Sequence, residues 1–394
     1  MAVLHLHPRR ERSVLRRHPW VFAGAVARVE GDPAPGAPVE VRSSRGDLLG
    51  MASYAPASQI RARMWTFGEA TPLDEALVRA RLASAWARRD RLGLPEPGGG
   101  CRRVFGEADG LPGLIVDQLA DGLVTQFLGV GAEHWRSVIL DTLQSLAPEA
   151  WVFERSEGAG RAREGLSDRS GALVGTPPEG VVVREGGLSF EADIVGGHKT
   201  GWYLDQREHR LQMGGMAGGK EVLDAFAYTG GFTAHALAGG AARVTSVENS
   251  GGALAGLGRN LERNQLDSSR SEVMEGDAFH VLRGFRDRAR TFDLIVLDPP
   301  KFAETRGQVE GACRGYKDIN LLAFKLLRPG GRLVTFSCSG VMAPDLFQKV
   351  VADAAIDAGR DARLLHRWFQ PPDHPVPLTF PEALYLKGLV LEVE

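Results

Sequence analysis

Cysteine, lysine and long apolar runs are scarce in this chain, and each scarcity excludes something. Three cysteines occur in 394 residues, at positions 101, 313 and 338, odd in number and without Cys-x-x-Cys spacing. That pattern argues against a disulfide framework and against a structural zinc site, so no metal is expected. No stretch reaches the roughly 18 consecutive apolar residues of a membrane helix. The N-terminal MAVLHLHPRRERSVLRRHPW is basic but lacks the apolar block of a secretory signal. A soluble, cytoplasmic protein with no membrane partner is the expectation. The fingerprint G-x-G-x-x-G is absent, which disfavours a dinucleotide enzyme, and no internal repeat is seen.

What is present is an ordinary globular balance, 43% hydrophobic and 24% charged residues with a formal net charge of −2. A chain of this length and composition buries a sizeable core and divides into two or three domains. The small net charge hides an asymmetry: Arg9, Arg10, Arg12, Arg16 and Arg17 face only Glu11 within the first 20 residues. Such a cluster can neutralise phosphates. With 40 arginines against 7 lysines overall, the cluster taken alone reads as a solvated surface.

Three rhythms follow one another. Residues 1–72 read as short strands (WVFAGAVARV, VEVRSS, RGDLLGMASY, IRARMW) punctuated by Pro33, Pro35, Gly36, Pro38 and Gly46, as in a small β-barrel. Residues 73–100 read as a connecting helix that ends at Gly93, followed by a flexible joint, PEPGGG. Residues 101–190 suggest a small α+β module. It has a hairpin GLIVDQLADGLVTQFLG turned at Asp121-Gly122, a helix HWRSVILDTLQSL, a strand WVFERS and a second hairpin tipped by Gly186-Gly187. GAGRAREGLSDRSG, between its halves, reads as an exposed loop. From 191 to 394 nearly continuous apolar strands alternate with helices: EVLDAFAY, ARVTSVEN, SEVMEGD, FDLIVLD and GRLVTFSC, then ARLLHRWF and ALYLKGLVLEV. This is the pattern of a doubly wound α/β domain with a terminal hairpin.

In such sheets ligands bind at the carboxyl ends of the strands, so those ends are informative in order. The first gives Asp224-Ala-Phe226-Ala-Tyr228-Thr229-Gly230-Gly231, and the second ends in Glu248, 24 residues after Asp224. The third ends in Asp277-Ala278-Phe279, the fourth in Asp298-Pro299-Pro300-Lys301-Phe302 and the fifth in Ser337-Cys338-Ser339. A glycine turn with an acid at the next strand end fits a nucleoside-bearing cofactor, the acid taking two ribose hydroxyls. Asp277 beside an aromatic can hold an adenine amino group while the ring stacks. Without a pyrophosphate cradle, the set suits S-adenosylmethionine better than NAD. Each acid alone is explained as a helix cap; the register of all of them is not.

Asp298-Pro-Pro holds an acid beside the donor, where it can accept from an exocyclic amino group or a ring NH. Cys338 leaves the neighbouring strand between two serines, and a thiolate there can attack an electron-poor ring carbon. Carbon 5 of a pyrimidine accepts a methyl group only after a thiolate has added to carbon 6 and made the ring an enamine or enolate. The base must be unpaired or flipped out to reach such a pocket. Cys101 and Cys313 lack any such context.

The motifs DPPKF, GACRGYKDINLLA, LVTFSCSG, DLFQKVVADAAIDAGRDA, DHPV and EALYLKG, with RRHPWVFAGAV, FGEADGLPGLIVD and GGHKTGWYLDQREHR upstream, span nearly the whole chain. In these motifs the sequence resembles the PUA-domain-containing bacterial 23S rRNA 5-methylcytosine methyltransferases. The resemblance implies an N-terminal PUA RNA-binding barrel, a central α+β module and a C-terminal class I (Rossmann-like) methyltransferase domain. It also implies S-adenosylmethionine as methyl donor and a cytosine of 23S rRNA, naked or in an assembly particle, as substrate. Cys338 would be the nucleophile and Asp298 the base-orienting acid. Asp224, Phe226, Tyr228, Thr229, Gly230, Gly231, Glu248, Asp277, Ala278 and Phe279 would line the donor site, with Tyr203 and Gln206 contributed by KTGWYLDQR. Many relatives in the wider RNA 5-methylcytosine group have a second cysteine beside the fourth-strand proline, where this chain has Pro300-Lys301, so a two-cysteine release step is in doubt.

Three rivals remain at this level. A uridine carbon 5 methyltransferase acting on rRNA or tRNA also pairs Asp-Pro-Pro with a later Ser-Cys. A purine nitrogen rRNA methyltransferase would leave Cys338 idle, and a non-catalytic RNA-binding factor would keep only the fold. The modified nucleotide, the base that takes the carbon 5 proton and the oligomeric state, a homodimer among the options, are left open.

Overall fold

The computed structural model describes residues 1–68 and 71–394. The chain forms two compact units. One comprises Met1–Arg184, Ala192–Leu204 and Pro372–Ala383; the other comprises Glu185–Glu191, Asp205–Pro371 and Leu384–Glu394. Among the described residues no helix is long and apolar enough to cross a membrane.

The first unit opens with six strands, β1 (Ala2–Leu6), β2 (Trp20–Phe22), β3 (Val26–Glu30), β4 (Pro38–Arg42), β5 (Leu48–Tyr54) and β6 (Ile60–Met64), and a one-turn helix, α1 (Arg12–Leu15). They form one sheet in the order β2-β6-β5-β4-β1-β3 around Leu4, Val21, Val39, Val41 and Ala62. The single strand expected over WVFAGAVARV is two, because Ala23–Ala25 make a helical turn between them. The strand within MAVLHLH had not been anticipated.

The helix α2 (Glu75–Arg91) begins where the Asp74 side chain accepts from the Leu77 amide, an N-cap satisfying one orphan donor of the first turn. Next come β7 (Gly100–Phe105), β8 (Leu114–Leu119), β9 (Gly122–Phe127), α3 (Val130–His134), α4 (Arg136–Leu146), β10 (Trp151–Ser156), α5 (Ala159–Arg163) and β11 (Arg169–Val174). These strands form a five-stranded sheet, β11-β10-β9-β8-β7. Three local expectations are corrected here. PEPGGG is no loose joint, since Gly100 is buried and a Cβ on it would lie 2.6 Å from Leu204. The β8–β9 turn is Ala120-Asp121, one residue earlier than expected, because Leu119 pairs with Gly122. Gly122 serves packing instead, for a Cβ there would sit 1.8 Å from the Trp151 ring. The polar stretch 158–171 is mostly exposed, as expected, but it is not all loop: it holds α5 and the start of β11, anchored by Arg161, which is 1% exposed and donates to Glu133 at 3.0 Å. A buried guanidinium satisfied by carbonyls and a carboxylate reads as polar sequence, yet it is structural.

The chain then passes through the hairpin β12 (Val181–Glu185) and β13 (Leu188–Ala192), whose Gly186 and Gly187 both have positive φ, as a tight primed turn requires.

The second unit is built from α6 (Arg207–Gly214), β14 (Glu221–Ala225), α7 (Gly231–Ala238), β15 (Arg243–Glu248), α8 (Gly251–Arg263), β16 (Ser271–Glu275), α9 (Ala278–Asp287), β17 (Phe292–Leu297), α10 (Val309–Leu326), β18 (Leu327–Ser337), α11 (Pro344–Asp357), β19 (Ala362–Phe369) and β20 (Lys387–Val393). Its sheet runs β16-β15-β14-β17-β18-β20-β19, parallel as far as β18, with β20 antiparallel to both its neighbours. Leu223, Ile295, Leu297 and Leu333 are fully buried against α9–α11 through Leu282, Phe285, Ile319, Phe324 and Phe347. The chain reverses its direction of sheet growth between β14 and β17. In open sheets of this kind such a switch point, at the carboxyl ends of the strands, is where ligands bind.

Candidate active site at the carboxyl ends of the parallel strands

The strand β14 stops at Ala225, and Phe226, Tyr228 and Gly230 then take φ of 65°, 48° and 78°. Three left-handed residues in five wind the backbone into a cradle before α7. Glycine is required only at the last of them, where a Cβ would lie 2.5 Å from Leu257 Cγ. The loop is tied down from behind. The Ala227 amide donates to Val247 O at 3.0 Å, and Asn260 Nδ2 donates to Thr229 O at 2.9 Å. Gly231 is the first residue of α7.

Asp224 is 1% exposed and its Oδ2 accepts from Thr233 Oγ1 at 2.7 Å. Thr233 has spent its one proton, so Ser246 Oγ, 2.7 Å away, donates to Thr233. Asp224 Oδ1 is buried and has no hydrogen-bond partner among the described residues. Burial, opposed by the Thr233 bond and reinforced by Glu248, pushes the Asp224 carboxyl up to about 6. Glu248 ends β15 half-buried. It takes the Tyr228 amide on Oε2 at 2.9 Å, and the Asn249 and Ser250 amides on Oε1 at 2.8 and 3.0 Å. Asp277 is exposed and caps α9 with Oδ1, accepting from the His280 amide at 2.9 Å. The cap and a ligand-facing role coexist, since the carboxylate keeps its second oxygen. Ala278 is buried behind it, and the Phe279 ring lies edge-on to Phe226 with centroids 6.4 Å apart.

The aromatic row continues: Phe279 to Phe302 at 6.1 Å, then Phe302 to Tyr316 at 4.7 Å. It leads to the ends of β17 and β18. Cys338 Sγ lies 4.0 Å from Pro299 O, which puts the thiol beside the Asp298-Pro-Pro loop. Both Asp298 and Cys338 are partly exposed. Ser337 Oγ donates to Tyr316 Oη at 2.9 Å. Burial, with the neighbouring Cys338 and Asp298 charges, pushes the Tyr316 phenol up to about 12, so it stays protonated.

The segment expected to touch the donor divides between the units. Gln206 belongs to the second unit and is 2% exposed; Tyr203 belongs to the first, where Lys199 Nζ lies 4.4 Å over its ring and His198 Nδ1 is 3.0 Å from its hydroxyl. His209 stacks on Trp368 with an interplanar angle of 9° and is held down to about 4 by burial. Its neutral ring donates from Nε2 to Phe369 O at 2.9 Å, so Nδ1 is the acceptor in the 2.6 Å contact with the Gln206 amide. The Gln206 NH2 therefore faces His209 and its carbonyl faces away.

The groups gathered at β14, β15 and β16 are almost all acceptors. Asp224, Glu248 and Asp277 carry no ion pair among the described residues, and one buried carboxylate oxygen lacks a partner. That set complements a ligand bearing an ammonium, two vicinal hydroxyls and an exocyclic amine, which are the polar groups of S-adenosylmethionine. Fold and acceptor set together define an S-adenosylmethionine-dependent methyltransferase carrying an additional N-terminal sheet domain. The S-adenosylmethionine-dependent methyltransferase family matches residues 123–390, and a PUA-like domain matches residues 4–67. Ribosomal RNA large subunit methyltransferase I of Cronobacter sakazakii is 49% identical over 385 residues, covering 98% of this chain and 97% of that one. The protein of the same name from Escherichia coli is 48% identical with the same coverage. A SAM-dependent methyltransferase structure from Streptococcus mutans superposes with a TM-score of 0.85 at 21% identity, all of both chains being covered. A methyltransferase structure in complex with SAH gives 0.86 at 21% identity. This chain belongs to the ribosomal RNA large subunit methyltransferase I family.

The sequence reading named Phe302 at the fourth strand end but did not single out Tyr316, His209 or Lys387. The first two are aromatic residues in helices, where core packing explains them equally well. Lys387 had a signal, a lysine inside the apolar strand LYLKGLVLEV of a chain with few lysines.

Proposed function

We propose that the protein methylates carbon 5 of a cytosine in 23S rRNA, with S-adenosylmethionine as donor, through a transient bond between Cys338 and carbon 6 of the base. The observation that carries this reading is the adjacency of the Cys338 thiol and the Asp298-Pro-Pro loop at the switch point. S-adenosylmethionine supplies a methyl group on a cationic sulfur. Glu248 would take the ribose hydroxyls, Asp277 the adenine amino group, and Asp224 with the Gln206 carbonyl the ammonium end, while Phe226 and Phe279 border the adenine. The Cys338 sulfur adds to carbon 6 as its proton passes to N3 of the ring. Asp298 accepts from the amino group and protonated N3 side of the ring, which stabilises the electron-rich adduct and turns carbon 5 into the nucleophile that takes the methyl group. Loss of the carbon 5 proton to a base then re-forms the double bond and expels the Cys338 thiolate. The departing thiolate takes back the proton held at N3, so the cysteine is restored, and the net change is one proton released as the donor's sulfonium becomes a neutral thioether.

RNA binding is assigned to the N-terminal barrel, 1–72, and chemistry to the methyltransferase part from 191 onward. Arg9, Arg10, Arg12, Arg16 and Arg17 are all exposed and have no ion-pair partner among the described residues. Leu15, between Arg12 and Arg16 in sequence, is 65% exposed, and Phe22 at the end of β2 is 51% exposed. Unpaired guanidinium groups together with exposed apolar and aromatic side chains suit a nucleic-acid surface.

The test is methyl transfer from labelled S-adenosylmethionine to unmodified 23S rRNA, followed by nucleoside analysis, with wild type and Cys338→Ala. Label in 5-methylcytidine that vanishes in the variant supports the reading. Label in 5-methyluridine overturns the base, and a methylated purine made by an active variant overturns both base and mechanism.

A further inference from the structure

Lys387 is a buried charged residue of this unit that the methyl-transfer scheme leaves unused, and unlike the buried Arg210, which is paired to Glu185, it has no carboxylate partner among the described residues. It is 2% exposed in β20, directly opposite Ser337, the residue before the nucleophile. Its Nζ donates to Ser339 O and, at 2.9 Å, to Met342 O. Both acceptors are carbonyls of the turn that carries the chain away from Cys338. No carboxylate is paired with Lys387 among the described residues, although a buried ammonium normally acquires one. The charged groups around it are Cys338, which favours its protonated form, and Lys301, which opposes it. Tyr316 of α10 lies close enough to feel both Cys338 and Asp298 of the loop after β17.

We propose that Lys387 is a positioning residue for the nucleophile: its ammonium fixes the Ser339–Met342 turn through two carbonyls and serves as the counter-ion of the Cys338 thiolate. This rests on the reading of Cys338 as nucleophile. The missing carboxylate is then explained, because the thiolate is the anion that the ammonium awaits. An anion placed there permanently would remove the electrostatic reason for the thiol to ionise. Burial lowers the ammonium only to about 8, so it is charged near neutral pH when the thiolate must form. Tyr316, protonated throughout, contributes no competing negative charge.

The test uses the full-length protein without RNA. Iodoacetamide alkylation of Cys338 is followed by peptide mass spectrometry from pH 5.5 to 9.5, which separates it from Cys101 and Cys313. The wild-type rate should titrate with a midpoint below the value of about 8.5 for a free cysteine. Lys387→Met should raise the midpoint by one unit or more, equivalent to a tenfold loss of thiolate at neutral pH, and Lys387→Arg should keep it low. A wild-type midpoint at or above 8.5 overturns the proposal without any variant, which matters if Lys387→Met fails to fold. An unmoved midpoint in folded Lys387→Met, with Cys338→Ala inactive in methyl transfer, overturns the role of Lys387 alone. Methyl transfer retained by Cys338→Ala overturns the nucleophile and the proposal with it.

Discussion

Replacing Asp224 by asparagine removes a carboxyl group that the fold buries with one oxygen unpartnered, and the consequence for stability can be worked out. Burial, reinforced by Glu248, raises this acid from 3.8 to about 6. The folded state therefore holds the proton more tightly than the unfolded chain does. The associated stability is fully present below pH 3.8 and is lost as pH rises toward and through 6. Against the fully protonated state, the loss amounts to about 1.5 kcal/mol at pH 5 and about 3 kcal/mol at pH 7.5. Asparagine does not titrate. Denaturant unfolding of both proteins between pH 4 and 7.5 should show the wild type losing about 1.5 kcal/mol relative to Asp224→Asn from pH 5 to 7.5. Titrating groups that do not interact with Asp224 cancel in that difference. The donor supplies the complementary reading. If the ionised carboxylate receives the ammonium end, affinity for S-adenosylhomocysteine should rise about tenfold over the same range, as the ionised fraction grows from about a tenth to nearly all. The variant should show a flat, weak profile. A stability difference that is constant with pH, or that favours the wild type as pH rises, refutes the reasoning.

Cys338→Ala should abolish label transfer while leaving S-adenosylhomocysteine binding, read by calorimetry, unchanged; Cys313→Ala should retain activity. Gly230→Ala combines a left-handed alanine with a clash against Leu257, and should destabilise the protein by about 2–4 kcal/mol in denaturant unfolding while also weakening the donor. Changing Arg12, Arg16 and Arg17 together to alanine should weaken 23S rRNA binding and reduce the slope of log affinity against log salt by about 2, if each neutralises one phosphate. Donor affinity should not move in that variant.

Much of the second unit was legible because its parallel strands are buried on both faces and so appear as unbroken apolar runs. Their carboxyl ends could be found by counting along them, which located Asp224, Glu248, Asp277, Asp298 and Cys338 before any coordinates were known. The errors fell where one residue type serves two purposes. Gly122 looked like a turn glycine, but its missing side chain makes room for Trp151. The stretch 158–171 reads as an exposed loop and is mostly exposed, yet the charged Arg161 within it is buried and anchors a helix.

The sequence by itself determined the alternation of strands and helices and the residue types at each strand end, since both follow from local patterning along the chain. Only the tertiary structure decided which ends meet. Strand order brings β14 beside β17 and β18 beside β20, across separations of many residues that no local pattern encodes. It also decided the state of each group: the unpartnered oxygen of Asp224, the tautomer of His209 that orients Gln206, and the ammonium of Lys387 next to Cys338. Those properties depend on which atoms lie nearby and how little water reaches them, and neither exists until the chain has folded.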